Sequence, residues 1–197
     1  MTFRNIVSSV LLLIVVLFVL VGAAQASDIS IFVGAEMPGS IKNGDEKISL
    51  DNGPVYGIRF GSNFIRYLGL EHTLAISPDF MFPNASFGCI PEIECFKGWE
   101  ESKGFIYSSN MMLNFPDIDS RMVPFLTAGV GLIHQYGDRN LPVGTKLAFN
   151  YGGGVKFPNL AGPLGARADF RGYRAGVISK SVNMFELSFG LMVSFGR

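Results

Sequence analysis

The stretch Phe185-Glu186-Leu187-Ser188-Phe189-Gly190-Leu191-Met192-Val193-Ser194-Phe195 alternates without a slip. Phe185, Leu187, Phe189, Leu191, Val193 and Phe195 fall on one face, and Glu186, Ser188, Gly190, Met192 and Ser194 on the other. A repeat of two is the side-chain period of a β-strand, because successive Cβ atoms point to opposite sides. The first face carries no polar side-chain atom. A strand that crosses a bilayer obliquely needs roughly 9–11 residues, so this segment is long enough to span one.

The other end of the chain supplies a route to a membrane. Residues 1–26 read as a signal peptide helix: Arg4 gives the basic start, Val10 to Val21 is an unbroken apolar run, and Ala24-Gln25-Ala26 fits small-x-small cleavage. A retained anchor is the competing reading. The run is short of the roughly 20 residues of a spanning helix, and no basic cluster follows it. The expected organisation is a leader over residues 1–26 and one domain over residues 27–197.

Composition narrows the class. Charged residues make up 16% of the chain, below the roughly 25% of an average soluble domain, while Gly (24) and Phe (18) are abundant. The 16 basic and 16 acidic residues are interspersed. Such a balance gives no nucleic-acid partner and no strong pull toward anionic surfaces.

Working back from the closing segment, seven more stretches alternate. The first, about Asp28 to Glu36, sets Ile29, Ile31, Val33 and Ala35 against Ser30, Phe32 and Gly34. The second sets Tyr56, Ile58 and Phe60 against Val55, Gly57, Arg59 and Gly61. The third sets Leu68, Leu70, His72, Leu74 and Ile76 against Gly69, Glu71, Thr73, Ala75 and Ser77, and the fourth runs from Phe105 to Asn114. The fifth, about Val123 to Tyr136, is the least clear, because its second face holds Phe125 and Ile133. The sixth runs from Leu147 to Phe157, and the seventh sets Ala166, Ala168 and Phe170 against Arg167, Asp169 and Arg171.

Long connections (Met37 to Gly53, Pro78 to Lys103, Gly137 to Thr145, Arg174 to Asn183) alternate with short ones (Asn63 to Tyr67, Pro116 to Arg121, Pro158 to Pro163). Short periplasmic turns and longer outside loops mark outer-membrane barrels. An even strand number puts both termini in the periplasm. A soluble lipocalin-like barrel would turn the apolar face inward and crowd Lys and Glu on the other. Here that other face is glycine-rich, with sparse charges of both signs, as suits the filled interior of a small membrane barrel.

In this order and spacing, several pieces carry a resemblance: Phe32-Val33-Gly34, Gly57 to Gly61 followed by Leu68-Gly69-Leu70-Glu71, Val123-Pro124-Phe125-Leu126 leading into Ala128-Gly129-Val130-Gly131, Asn150 to Lys156, Gly165 to Arg171, and the aromatic last strand. The chain resembles the small eight-stranded outer-membrane β-barrel family, OmpA-like and opacity-protein-like, over essentially all of residues 27–197. The resemblance implies an all-β, antiparallel, up-and-down transmembrane barrel, with outer-membrane lipids and the outer-membrane assembly machinery as partners. Family members commonly end on an aromatic residue; here Gly196 and Arg197 follow Phe195.

Candidate chemistry is sparse. Cys89 and Cys95, in the longest loop, read as a disulfide in an oxidising exported compartment; as zinc ligands they make only half a site. His72 and His134 lie on apolar registers, where a histidine near a barrel rim marks the lipid–water interface. His72 with Thr73 or Ser77 forms no recognisable hydrolase motif, and Glu100 and Glu101 are adjacent loop acids. Arg59, Glu71, Lys156, Arg167, Asp169, Arg171 and Glu186 place both signs of charge in the expected lumen, where ions must pair. They read either as an ion gate or as an internal network that fixes register. Tyr173 and Arg174 are expected at the outer rim. Tyr56, Phe64, Tyr67, Phe105, Phe115, Tyr151 and Phe157 fall where interfacial girdles would be.

The expected function is a bacterial outer-membrane barrel with a structural or surface-interaction role, a packed lumen and no catalytic residue, metal or cofactor. The loops Met37 to Gly53 and Pro78 to Lys103 would carry any extracellular partner. A soluble periplasmic or secreted lipid-binding barrel is the alternative, with a lipid-modifying outer-membrane enzyme behind it.

Overall fold

Side-chain parity sorts each strand between the two sides of one closed sheet. A computed structural model describes residues 26–39, 41–43, 46–48, 52–80, 102–115, 121–137, 144–176 and 182–195. The leader lies outside these residues except for Ala26, the first residue of β1; Cys89, Cys95, Glu100 and Glu101 lie outside as well.

Ten strands are described: β1 (Ala26–Pro38), β2 (Ile41–Asn43), β3 (Glu46–Ile48), β4 (Gly53–Asn63), β5 (Leu68–Ser77), β6 (Ser102–Asn114), β7 (Val123–Gly137), β8 (Thr145–Ala161), β9 (Leu164–Ala175) and β10 (Val182–Phe195). Eight of them close an antiparallel barrel in the order β1-β10-β9-β8-β7-β6-β5-β4, and β2 pairs with β3 as a separate hairpin. Closure rests on β1, which pairs on one side with β4 (Ile31 opposite Ile58) and on the other with β10 (Ile31 opposite Leu191). A closed sheet leaves no edge with unpaired backbone groups.

Several boundaries differ from the sequence reading. The stretch Met37 to Gly53, read as loop, contains the β2–β3 hairpin, and its first two residues belong to β1. β8 runs past Phe157 through an irregularity to Ala161, so the connection to β9 is a tight turn at Gly162 and Pro163. Asn159 (φ 59°) and Gly162 (φ 63°) take left-handed backbone there. Asn and Gly tolerate that region best.

Along β10, Glu186 and Ser188 are 0% exposed, whereas Phe189 and Leu191 are 59% and 65% exposed. The same inversion, charged residues inside and large apolar ones outside, holds around the wall. Every barrel strand exposes at least one large apolar side chain, among them Val33, Ile58, Ile76, Met111, Val130, Leu147 and Phe170.

The interior is layered. At the end of the long connections Val55, Ala75, Ile106, Ile133, Ala148, Ala175, Val182 and Met184 pack around Phe80, which folds back from the turn after β5 and is fully buried. Gly104 makes room for it, since a Cβ there would run into the Phe80 ring. The Gln135 amide donates to the Phe80 carbonyl at 3.5 Å. Below this apolar layer, midway along the strands, lie the charges.

Candidate functional site: the ionic belt of the lumen

Three guanidinium groups and three carboxylates interlock across the barrel. β9 supplies Arg167, Asp169 and Arg171 at successive inward positions, β4 supplies Arg59, β5 Glu71 and β10 Glu186. All six are buried to within 2% exposure. Asp169 is the hub. Its carboxylate accepts from Arg167 Nε and Nη2 (2.8 and 2.7 Å), from Arg171 Nη2 (2.8 Å) and Nε (3.3 Å), and from Arg59 Nη1 (3.3 Å). Glu71 takes Arg167 Nη1 at 2.7 Å and also pairs with Arg171. Glu186 pairs with Arg59 and accepts from Tyr173 (2.8 Å) and Ser188 (2.6 Å). The fork of each guanidinium meets planar carboxylates, the geometry that makes such bonds strong. With three charges of each sign the belt is neutral, which is what burial demands.

Aromatic faces complete the packing. The Arg59 guanidinium carbon lies 3.5 Å above the Phe32 ring centre, and that of Arg167 lies 5.0 Å from Phe125. Cations are attracted to the ring quadrupole, more so where water is scarce.

Lys156 stands apart from the belt. Its ammonium pairs with Asp28 of β1 at 2.7 Å, nearer the short-turn end. The sequence reading names Thr73 and Ser188 on the inward face and leaves Asp28 unassigned, although parity was enough to place it there. Tyr173 is a correction: β9 continues to Ala175, so its ring points into the lumen, 2% exposed, rather than lying at the rim. Arg174 faces out.

The histidines divide. His134 sits at the long-connection end, exposed, with Nδ1 2.6 Å from Thr145 Oγ1. His72 does not mark a rim, because it lies mid-strand, opposite Phe60 and Ser109. It faces outward, stacked on Tyr107, with Nδ1 3.2 Å from the Tyr107 hydroxyl. Thr73 and Ser77 are on the other side of the wall, where Thr73 accepts from Arg171 and Ser77 donates to the Pro54 carbonyl. No hydrolase grouping can form from these three. Among the described residues no cluster of three or more His, Cys, Asp or Glu side chains is arranged to hold a metal ion.

No protein-family model and no curated protein matches the sequence. Solved structures do match over nearly the whole barrel. The Neisserial surface protein A structure aligns with TM-score 0.60 and 17% identity, covering 87% of this chain and 98% of that one. The N-terminal β-barrel domain of Pseudomonas aeruginosa OprF gives 0.58 and 14%, with 87% and 98% coverage. This chain has the fold of the small outer-membrane barrels. Ail, the attachment invasion locus protein of Yersinia pestis, aligns with TM-score 0.52 and 16% identity, covering 87% of this chain and 99% of that one. At such identities the likeness is one of fold.

Proposed function

We propose that the chain is a bacterial outer-membrane barrel with a structural or surface-interaction role, non-enzymatic, and closed to ions by its own side chains. One observation carries this reading: the outward face is apolar on every barrel strand while the charges are inside. A contiguous apolar surface of that extent does not belong on a protein bathed in water, and an outward apolar band with a polar interior is the pattern of a spanning barrel. Exposed Tyr56, Phe64, Tyr67, Phe115 and Tyr151 supply aromatic groups of the kind that sit at membrane interfaces. The long loops face outward from the cell and would meet any extracellular partner, the short turns face the periplasm, and β10 is the strand offered to the assembly machinery.

The soluble lipid-binding alternative needs an apolar cavity in the interior, and the ionic belt occupies that position. An enzyme of this kind needs a base held by an acidic orienting group beside a nucleophile; His134 lies beside the Thr145 hydroxyl and His72 beside that of Tyr107, and neither contact brings an acidic group. The test is fractionation of cells expressing the full chain. Recovery only with detergent from the outer membrane, heat-modifiable gel migration, and no discrete conductance in planar bilayers are expected. Recovery in the soluble periplasmic fraction would overturn the reading.

A further inference from the structure

One buried carboxyl group takes no part in the ionic belt. Glu36, near the long-connection end of β1, is 2% exposed, and neither of its carboxyl oxygens has a hydrogen-bond partner among the described residues. Register places it opposite Glu186 of β10 on one side and opposite Gly53 of β4 on the other. Like charges directly opposite each other repel, and Glu186 is already committed to Arg59, Tyr173 and Ser188. Ser77 lies beside Glu36. Its hydroxyl donates to the Pro54 carbonyl, so toward Glu36 it offers lone pairs alone.

The buried charges are unequal in number. Among the described residues the buried acids are Asp28, Glu36, Glu71, Asp169 and Glu186, and the buried cations with which acids can pair are Arg59, Lys156, Arg167 and Arg171. Every acid but Glu36 is paired with at least one of these cations. A carboxylate held out of water with no counter-ion is far costlier than the neutral acid. The apolar layer is what keeps water away. Val55, the next inward residue after Gly53, and Met184, the next before Glu186, both belong to the cluster around Phe80. The turn that carries Phe80 also packs on Gly53, where a Cβ would run into the Asp79 carbonyl.

We infer that Glu36 binds one proton in the closed lumen, and that this proton latches the outer apolar layer. While it is held, an O–H at Glu36 has acceptors in Ser77 and Glu186, and the repelling pair becomes a donor and an acceptor. On release the O–H electron pair stays on Glu36 and the proton passes to water or hydroxide. The bare charge then draws water in past Val55, Phe80 and Met184. The closed form holds the proton and the opened form gives it up, so rising pH favours opening, by up to about tenfold per pH unit for a single proton. The charged and titratable groups around Glu36 are Glu186 and, bonded to it, Arg59 and Tyr173; Arg171 stands opposite Glu186 on β9, and Asp79 is exposed on the turn beyond Gly53. Tyr173 is the other group here that loses a proton in alkali. The inference rests on the reading of a lumen closed by its own side chains.

The full chain, with Cys89 and Cys95 replaced by Ser and a nitroxide attached at Asp79→Cys, is reconstituted in vesicles for the test. Infrared spectra at neutral pH should show the C=O band of a protonated carboxyl group that is absent from Glu36→Gln. From about pH 7 to about pH 10, a span that takes in buried carboxyl groups, the ratio of mobile to immobile label should rise with a slope approaching that of one proton. It should stay flat in Glu36→Gln, whose amide keeps the shape without a charge, and rise in Tyr173→Phe as in the parent. Glu36→Met serves should Glu36→Gln not fold. No such band in the parent, a band that persists in Glu36→Gln, or a label response equal in the two overturns the latch and leaves the closed barrel standing. Discrete conductance of the parent in planar bilayers at neutral pH overturns the closed lumen and the latch with it.

Discussion

Replacing Asp169 by Asn changes the belt from neutral to a single excess positive charge while keeping the side chain's shape. The carboxylate accepts from Arg59, Arg167 and Arg171; the amide keeps one acceptor and turns an NH₂ group toward guanidinium donors. Each charge-assisted bond in isolation is worth about 1.5–3 kcal/mol. Adding them all would approach the entire stability of a domain, about 5–15 kcal/mol, so contacts that share one carboxylate do not sum. The relevant scale is the cost of breaking a buried ion pair from one side, about 3–5 kcal/mol. Urea unfolding in detergent micelles, read as the folded fraction on unboiled gels, should show a loss of that size. Asp169→Asn combined with Arg167→Met leaves Arg59 with Glu186 and Arg171 with Glu71, both existing pairs. That double variant should recover about 0.5–3 kcal/mol relative to additivity. A single variant within about 0.5 kcal/mol of the parent would refute a tight, water-poor belt.

Four further outcomes are expected. Tyr173→Phe removes a buried donor from Glu186 and should lower stability by about 1–3 kcal/mol in the same unfolding assay; no loss would return Tyr173 to the rim. Phe80→Ala empties the apolar layer at about 3–5 kcal/mol. Gly104→Ala, which crowds the Phe80 ring, should cost less in the Phe80→Ala background than in the parent, and strictly additive costs would show that the two do not touch. Phe189→Arg, on the outward face, should destabilise the barrel in vesicles by about 2–4 kcal/mol, a penalty that a water-facing position would not show.

The strands were readable because one repeat, two residues long, persists through each of them. Parity alone gathers Arg59, Glu71, Arg167, Asp169, Arg171 and Glu186 on the inward face. What it does not give is which strands stand opposite each other across the lumen. Lys156 pairs with Asp28, 128 residues away in sequence, and nothing local to either residue announces it. The β2–β3 hairpin is not legible in the sequence, because three residues per strand are too few to show a period. The irregularity after Phe157 breaks the repeat and hides the end of β8, and the bare Gly172 interrupts the outward apolar register of β9 just before Tyr173. The apolar layer around Phe80 is hinted at only by Val55 and Ile133, on registers otherwise small or polar. Phe80 itself comes from a turn, where periodicity says nothing.

The most direct test of the outward apolar wall is a spin-label scan of residues 185–195 in vesicles, in chains with Cys89 and Cys95 replaced by Ser. Collision rates with molecular oxygen, which concentrates in hydrocarbon, and with a water-soluble nickel chelate would be measured at each position. Labels at Phe185, Leu187, Phe189, Leu191 and Val193 are predicted to favour oxygen and exclude nickel, with the even positions between them shielded from both, a period of two along the strand. Nickel access at the odd positions equal to that in solution would contradict the lipid-facing wall and, with it, the spanning barrel.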